Sequence, residues 1–204
     1  AEDITFTSLH DSVQRTFHHI AESKNLIFQV DIDSTLPRTF TSDPKRLQQI
    51  LKNLLSNAFK FTSQGQVRMS VNHVTTGWSM DHPVLRFSPS AVAISVSDTG
   101  IGIAPEKQRL IFEAFQQADA GTSRKYGGTG LGLAISRELA TLLGGEVRLT
   151  SSPGQGSTFT LYLPLTYTGP ARATFAPAIG PALPQPAYAP ARAIPVLAVK
   201  APEE

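Results

Sequence analysis

The chain of 204 residues contains no cysteine. That removes disulfide bridges and thiolate metal sites, and is compatible with a reducing compartment such as the cytoplasm. No apolar run approaches the roughly 20 residues that a membrane-spanning helix needs, and the first residues show no secretory signal pattern. An excess of one charge is also missing. Eighteen basic and 16 acidic residues leave a net +2 with the signs interspersed, so no nucleic-acid footprint is present. Two common nucleotide loops are absent too: there is no GxxxxGK[ST], and no GxGxxG after a strand with an acidic residue about twenty positions on. What is there is a chain with 41% hydrophobic residues, enough to bury a core. It is expected to be cytoplasmic and to make no membrane contact itself, whether or not the full-length protein is membrane-anchored.

The first informative segment is the helix predicted over 43–61. At about 100° per residue, Asn53, Asn57 and Lys60 fall within an arc of about 60°, opposite Leu47, Ile50, Leu51, Leu54, Leu55 and Ala58. The apolar side must face a core, so the two amides and the ammonium face either solvent or a cavity. Asparagine inside a helix costs roughly 0.5 kcal/mol relative to alanine, which favours a reason beyond folding. An Asn carbonyl oxygen is a hard neutral ligand suited to Mg²⁺ when phosphate and water fill most positions, and Lys60, one turn along, can reach a phosphate as a point charge.

Val92 to Asp98 alternates apolar and polar, the pattern of a half-buried strand, which leaves Asp98 at a strand end beside Gly100 and Gly102. A carboxylate is acceptor-only and suits the exocyclic amino group of adenine, and the glycines would let the backbone approach a flat base. A conformational turn alone would use the same residues. Pro105 fits the first turn of a helix running through Leu110 to Phe115, with Phe112 and Phe115 three apart and readable simply as core. Gly127, Gly128, Gly130 and Gly132 then open a helical pattern from Leu133 to Leu143 closed by Gly144-Gly145. Such an opening offers backbone N–H groups and a positive dipole end to phosphate. The small polar stretch 116–126 before it reads as a lid or as a plain surface loop.

Taken together, Gln48 to Thr62, Asp98 to Ile103, Ile111 to Phe115 and Gly127 to Leu133 resemble, in order and spacing, the N, G1, F and G2 boxes of the catalytic ATP-binding domain of sensor histidine kinases. That family shares the Bergerat fold with type II topoisomerases, Hsp90 and MutL. The resemblance covers about residues 4 to 165 and implies ATP and Mg²⁺ as cofactors. It makes Asn57 the magnesium ligand, Asn53 its polar partner, and Lys60 and Phe61 neighbours of phosphate and base. It also makes Asp98 the adenine reader, flanked by Gly100, Gly102, Ile103, Phe115 and Thr158. Gly127, Gly128, Thr129, Gly130, Leu131, Gly132 and Leu133 become the phosphate-lid hinge. Arg124 and Tyr126 belong to a lid variant most similar to that of hybrid histidine kinases.

In the hydrolysing relatives the residue equivalent to Asn53 is a Glu that activates water; an amide has no useful pKa for that task. The implied reaction is therefore transfer to an external nucleophile, in that family a His on a separate dimerisation hairpin. His10 followed by Asp11 superficially resembles a phosphoacceptor. Too few residues separate it from Asn53 for a two-helix hairpin plus a strand and a helix, and Leu9, Val13, Phe17 and Ile20 recur instead at the spacing of a single helix.

The expected order is a strand near 4–6, helix 9–22, strand 26–32, helix 43–61, strands 66–74 and 91–98, two further helices, and a hairpin of 146–150 with 158–163. That gives an α/β two-layer sandwich, a mixed β-sheet covered on one face by helices. Segment 75–90 looks like an insertion, either a contact site or a long hairpin loop. Residues 1–167 are expected to form the ATP-binding domain, and 168–204, rich in Ala and Pro, a linker or tail leading to a receiver domain or response regulator. Two other classes remain open: an ATPase coupled to conformational change, and a non-catalytic nucleotide-binding or docking module.

Overall fold

The computed structural model describes residues 1–113, 131–166 and 169, and among these described residues there are seven strands and three α-helices. In chain order the elements are β1 (Glu2–Thr5), α1 (Phe6–Lys24), β2 (Ile27–Ile32), β3 (Thr39–Ser42), α2 (Pro44–Phe61), β4 (Gln66–Val74), β5 (Ala91–Asp98), α3 (Gly132–Leu142), β6 (Glu146–Ser152) and β7 (Gly156–Pro164). Five strands form a mixed sheet in the order β2-β4-β5-β7-β6, parallel at β2-β4 and antiparallel elsewhere. A separate antiparallel pair joins β1 to β3.

Local chemistry explains the helix ends. Thr5 caps α1 by accepting from Ser8 N (3.1 Å), and Asn25 ends it in the left-handed region. Asp43 caps α2 by accepting from Arg46 N (3.0 Å), with Pro44 in the first turn. The apolar stripe of α2, Leu47, Ile50, Leu51, Leu54, Leu55, Ala58 and Phe59, is buried against Val67, Met69 and Val71 of β4 and Val92, Ile94 and Val96 of β5. Phe17 of α1 stacks on Phe59 with ring centroids 5.6 Å apart.

The opposite face of the sheet is polar, as period-2 alternation requires: Ser95 meets Thr160 (3.0 Å) and Ser97 meets Thr158 (2.9 Å). At one end of that face the segment after β4 folds back over it. Trp78 packs edge-on against Tyr162, Ser79 donates to Glu146 (2.8 Å), and His82 Nε2 donates to the Gly145 carbonyl (3.2 Å) while Leu85 is fully buried. Segment 75–90 is thus a docked loop rather than a free hairpin tip.

Three expectations need correction. The chain 105–113 forms two separate 3₁₀ turns, Pro105–Lys107 and Leu110–Phe112, in place of a continuous helix. Gln108 Nε2 donates to Ile103 O (2.9 Å) and Ser151 O (3.0 Å), tying the break between the turns to the strand hairpin. Strand β3 was not anticipated, because four residues beside the Asp43 cap carry too little pattern. The first strand lies at 2–5 and Phe6 already belongs to α1, where it stacks on Phe40.

Candidate functional site

Helix α2 organises the site. Its apolar stripe fixes its rotation on the sheet, so Asn53, Asn57 and Lys60 lie off the buried face, all half-buried. From Asn53 to the C-cap Thr62 is nine residues, about 13 Å along the axis. Each end of that line meets a different element.

At the Thr62 end lies Asp98. Its strand partners are Val67 and Ser157, both on the helix-covered side, so the carboxyl points to the same layer as α2. It accepts from Gly100 N (2.8 Å) and is approached by the Ser157 N–H and the Thr62 hydroxyl. Desolvation nevertheless outweighs these donors and pushes its pKa up. Thr62 Oγ1 is fully buried beside this carboxylate, close enough to favour its ionised form although no hydrogen bond of ordinary geometry joins them. A carboxylate with a buried hydroxyl beside it fits a polar ligand edge such as that of a purine.

The loop after Asp98 is locked from behind. Ile101 N donates to Phe61 O (3.3 Å), Ile103 N to Ser151 Oγ (2.8 Å) and Gly154 N to Ile101 O (2.8 Å), while Ser151 Oγ also donates to Gly156 O (2.9 Å). A Cβ at Gly100 would lie 2.3 Å from the Phe61 carbonyl oxygen. One at Gly102, where φ is +69°, would lie 2.0 Å from the Ser152 carbonyl oxygen. Both glycines are thus required by close approach to the protein's own backbone. Lys60 Nζ sits 5.4 Å from the Phe61 ring centroid, and Lys24 donates to the Phe59 carbonyl, capping the last turn of α2.

At the other end Asn53 Nδ2 donates to the Gly132 carbonyl (3.0 Å) and to Ser136 Oγ (3.2 Å), joining α2 to the start of α3. Leu131 and Leu133 flank Gly132 half-buried, Leu133 packing on the core. Among the described residues no three His, Asp or Glu side chains converge. Asn57, half-buried on the same side of α2, carries an amide oxygen of the type that Mg²⁺ accepts alongside phosphate oxygens.

Thr158 is not brought to this cluster. Its hydroxyl pairs with Ser97 on the polar face of the sheet, and the residue beside Asp98 is Ser157. Phe115, Arg124, Tyr126, Gly127, Gly128, Thr129 and Gly130 lie outside the described residues. Sequence reasoning did not single out Thr62, Ser157, Ser151, Gln108 or Ser136. For Ser157 the usable signal was the hairpin register, which sets it opposite Asp98.

Comparison with known proteins identifies the family. The model of the "Histidine kinase-, DNA gyrase B-, and HSP90-like ATPase" family matches residues 42–167. The signal transduction histidine-protein kinase BarA of Escherichia coli K12 is 38% identical over 155 residues, 76% of this chain and 16% of BarA. Hybrid signal transduction histidine kinase B of Dictyostelium discoideum is 39% identical over 156 residues, 76% of this chain and 7% of that protein. Full-length ShkA, solved in complex with AMPPNP, superposes with a TM-score of 0.65 at 32% identity, covering 83% of this chain and 32% of ShkA. The chain thus spans less than a fifth of the length of these curated relatives. It belongs to the histidine kinase-, DNA gyrase B- and HSP90-like ATPase family, as a histidine kinase catalytic domain of the α/β fold those proteins share.

Proposed function

We propose that this domain binds Mg-ATP and transfers the γ-phosphoryl group to a histidine on a separate helical hairpin, within a larger, cytoplasmic-facing hybrid kinase that also carries a receiver domain. The observation that carries this reading is the state of Asn53. Its amide is engaged with Gly132 and Ser136 and offers no base to abstract a proton from water. In the reaction a ring nitrogen of the acceptor imidazole forms the new P–N bond, the bond from the γ-phosphorus to the β,γ-bridging oxygen breaks, and ADP leaves with that electron pair.

The chain's own residues position the nucleotide. Asp98 accepts from the adenine amino group, with Thr62 and Ser157 beside it; Lys60 attracts phosphate oxygens; and Asn57 supplies a carbonyl oxygen to the cation. When bound, Mg²⁺ supplies charge neutralisation for the phosphates. Adenine at the Asp98 end and phosphates toward Asn53 match the roughly 13 Å between the two clusters along α2.

The test is incubation with γ-labelled ATP, with and without a cognate His-bearing hairpin protein. The expected result is label on the hairpin, none on this chain and very slow release of free phosphate. Label mapped to His10 and abolished by His10→Ala, or rapid phosphate release without the hairpin, would overturn the reading.

A further inference from the structure

The hydroxyl of Ser136 lies inside α3 with no exposure to solvent, and the Asn53 amide is its partner. Serine within a helix is less favourable than alanine, and a buried hydroxyl is costly unless hydrogen-bonded. The Asn53 amide nitrogen donates to the Gly132 carbonyl at 3.0 Å and to Ser136 Oγ at 3.2 Å. A backbone carbonyl can only accept, so the nitrogen of the amide must face it and the flip is chemically determined. What Asn53 has left to offer is Oδ1.

We propose that Ser136 is a positioning residue for the transfer site: it holds the Asn53 amide in the orientation that leaves Oδ1, and not the NH₂ group, for the reacting partners. The proposal rests on the phosphotransfer reading above. An acceptor at this place suits a partner that brings an N–H, such as the second ring nitrogen of an imidazole. A flipped amide would present donors that compete for phosphate oxygens instead. The Gly132 carbonyl sets which side of the amide carries the nitrogen; Ser136 Oγ, a second acceptor one turn on, fixes the direction in which that nitrogen, and with it Oδ1, points. Because both acceptors sit on the first turns of α3, any shift of that helix start changes what Asn53 presents.

The experiment records the Asn53 side-chain amide resonances of the 204-residue chain by NMR, assigned by their loss in Asn53→Ala, in the wild type, Ser136→Ala and Ser136→Cys. The cysteine fills the site with a slightly larger atom that is only a weak acceptor, so it replaces the alanine variant if that one does not fold. Both variants should shift those resonances and speed exchange of one amide hydrogen. Both should also lower the maximal rate of transfer to the hairpin about fivefold to tenfold, the scale of one hydrogen bond, with KM for Mg-ATP changed less than about twofold. Unchanged Asn53 resonances overturn the proposal even if transfer falls, because Ser136 would then act through packing alone. Resonances that shift in the variants, together with a wild type that transfers no phosphate, would instead support the Asn53 contact and defeat the phosphotransfer reading.

Discussion

The two ends of α2 are built on different principles. At the Asp98 end the backbone itself is fixed: carbonyl oxygens of Phe61, Ser152 and Asp98 stand where a Cβ on Gly100, Gly102 or Gly156 would have to go, and Ser151 bridges the loop to the hairpin. At the Asn53 end α2 is tied to α3 by one side chain, Asn53, reaching the Gly132 carbonyl and the Ser136 hydroxyl, and a Cβ on Gly132 would meet Asn53 at 3.5 Å, ordinary van der Waals distance. On the proposed reading, a flat base would be read by groups that must not move, whereas the phosphate end would face a partner that changes chemistry during the reaction. The difference separates a preformed recognition edge from an adjustable one.

Exchanging glycine for alanine at the two ends should break this symmetry most sharply. Gly156 has φ +89° and a Cβ there would lie 1.9 Å from the Asp98 carbonyl oxygen. The left-handed backbone and the overpacking together make Gly156→Ala destabilising by about 2–5 kcal/mol. Gly132→Ala, in a helix with room for the methyl, should be neutral or stabilising by up to about 1 kcal/mol. Urea unfolding midpoints measure both. Equal losses at the two positions would erase the contrast.

The contrast could be read only partly from the sequence. The stripe of α2, the end of β5 at Asp98 and the close of α3 were legible, because each rests on a long periodic run or a strong cap. The helix expected through 105–115 failed because Pro105 and the phenylalanine spacing are equally compatible with 3₁₀ turns, and tertiary bonds from Gln108 decide between them. Thr158 was assigned by resemblance one residue away from the position that faces Asp98, since in a strand a shift of one reverses the face. Ser136 was illegible for a different reason: a lone serine in a helix carries no signal until its partner, 83 residues away, is in view. For Gly100 and Gly102 the structure adds a reason the sequence did not offer, close approach to the protein's own carbonyls.

The second way to sharpen the comparison is to cross one variant from each end with two ligand conditions. Asn57→Ala should weaken ATP binding by about tenfold or more when Mg²⁺ is present and much less without it, on the scale of losing a metal-site contact. Asp98→Ala should weaken ATP in both conditions by about 1–3 kcal/mol and narrow the preference for ATP over GTP, because guanine presents a carbonyl where the carboxylate needs a donor. Calorimetry with both nucleotides, with and without Mg²⁺, separates the ends. The same Mg²⁺-independent loss in both variants would show that the division of labour along α2 is wrong.

The smallest effect concerns protonation at the recognition end. Burial raises the pKa of Asp98 despite the Gly100 and Ser157 N–H groups and the Thr62 hydroxyl. A carboxyl whose folded pKa lies above its unfolded value contributes stability that is present below the unfolded pKa and lost as pH rises through the folded one. At neutral pH the nucleotide-free protein therefore carries the desolvation cost of an ionised Asp98, and Asp98→Asn should unfold at an equal or slightly higher urea concentration than wild type, with the gap closing on acidification. Binding moves the other way. Asp98 is acceptor-only when ionised, so adenosine, which brings no titrating phosphate, should lose affinity for the wild type from neutral to mildly acid pH, above the ordinary aspartate range. For Asp98→Asn, which does not titrate, affinity should be weaker and flat across the same window. A flat profile for the wild type would mean that the donors around Asp98 keep it ionised throughout, leaving the rigid end insensitive to pH and its specificity to geometry alone.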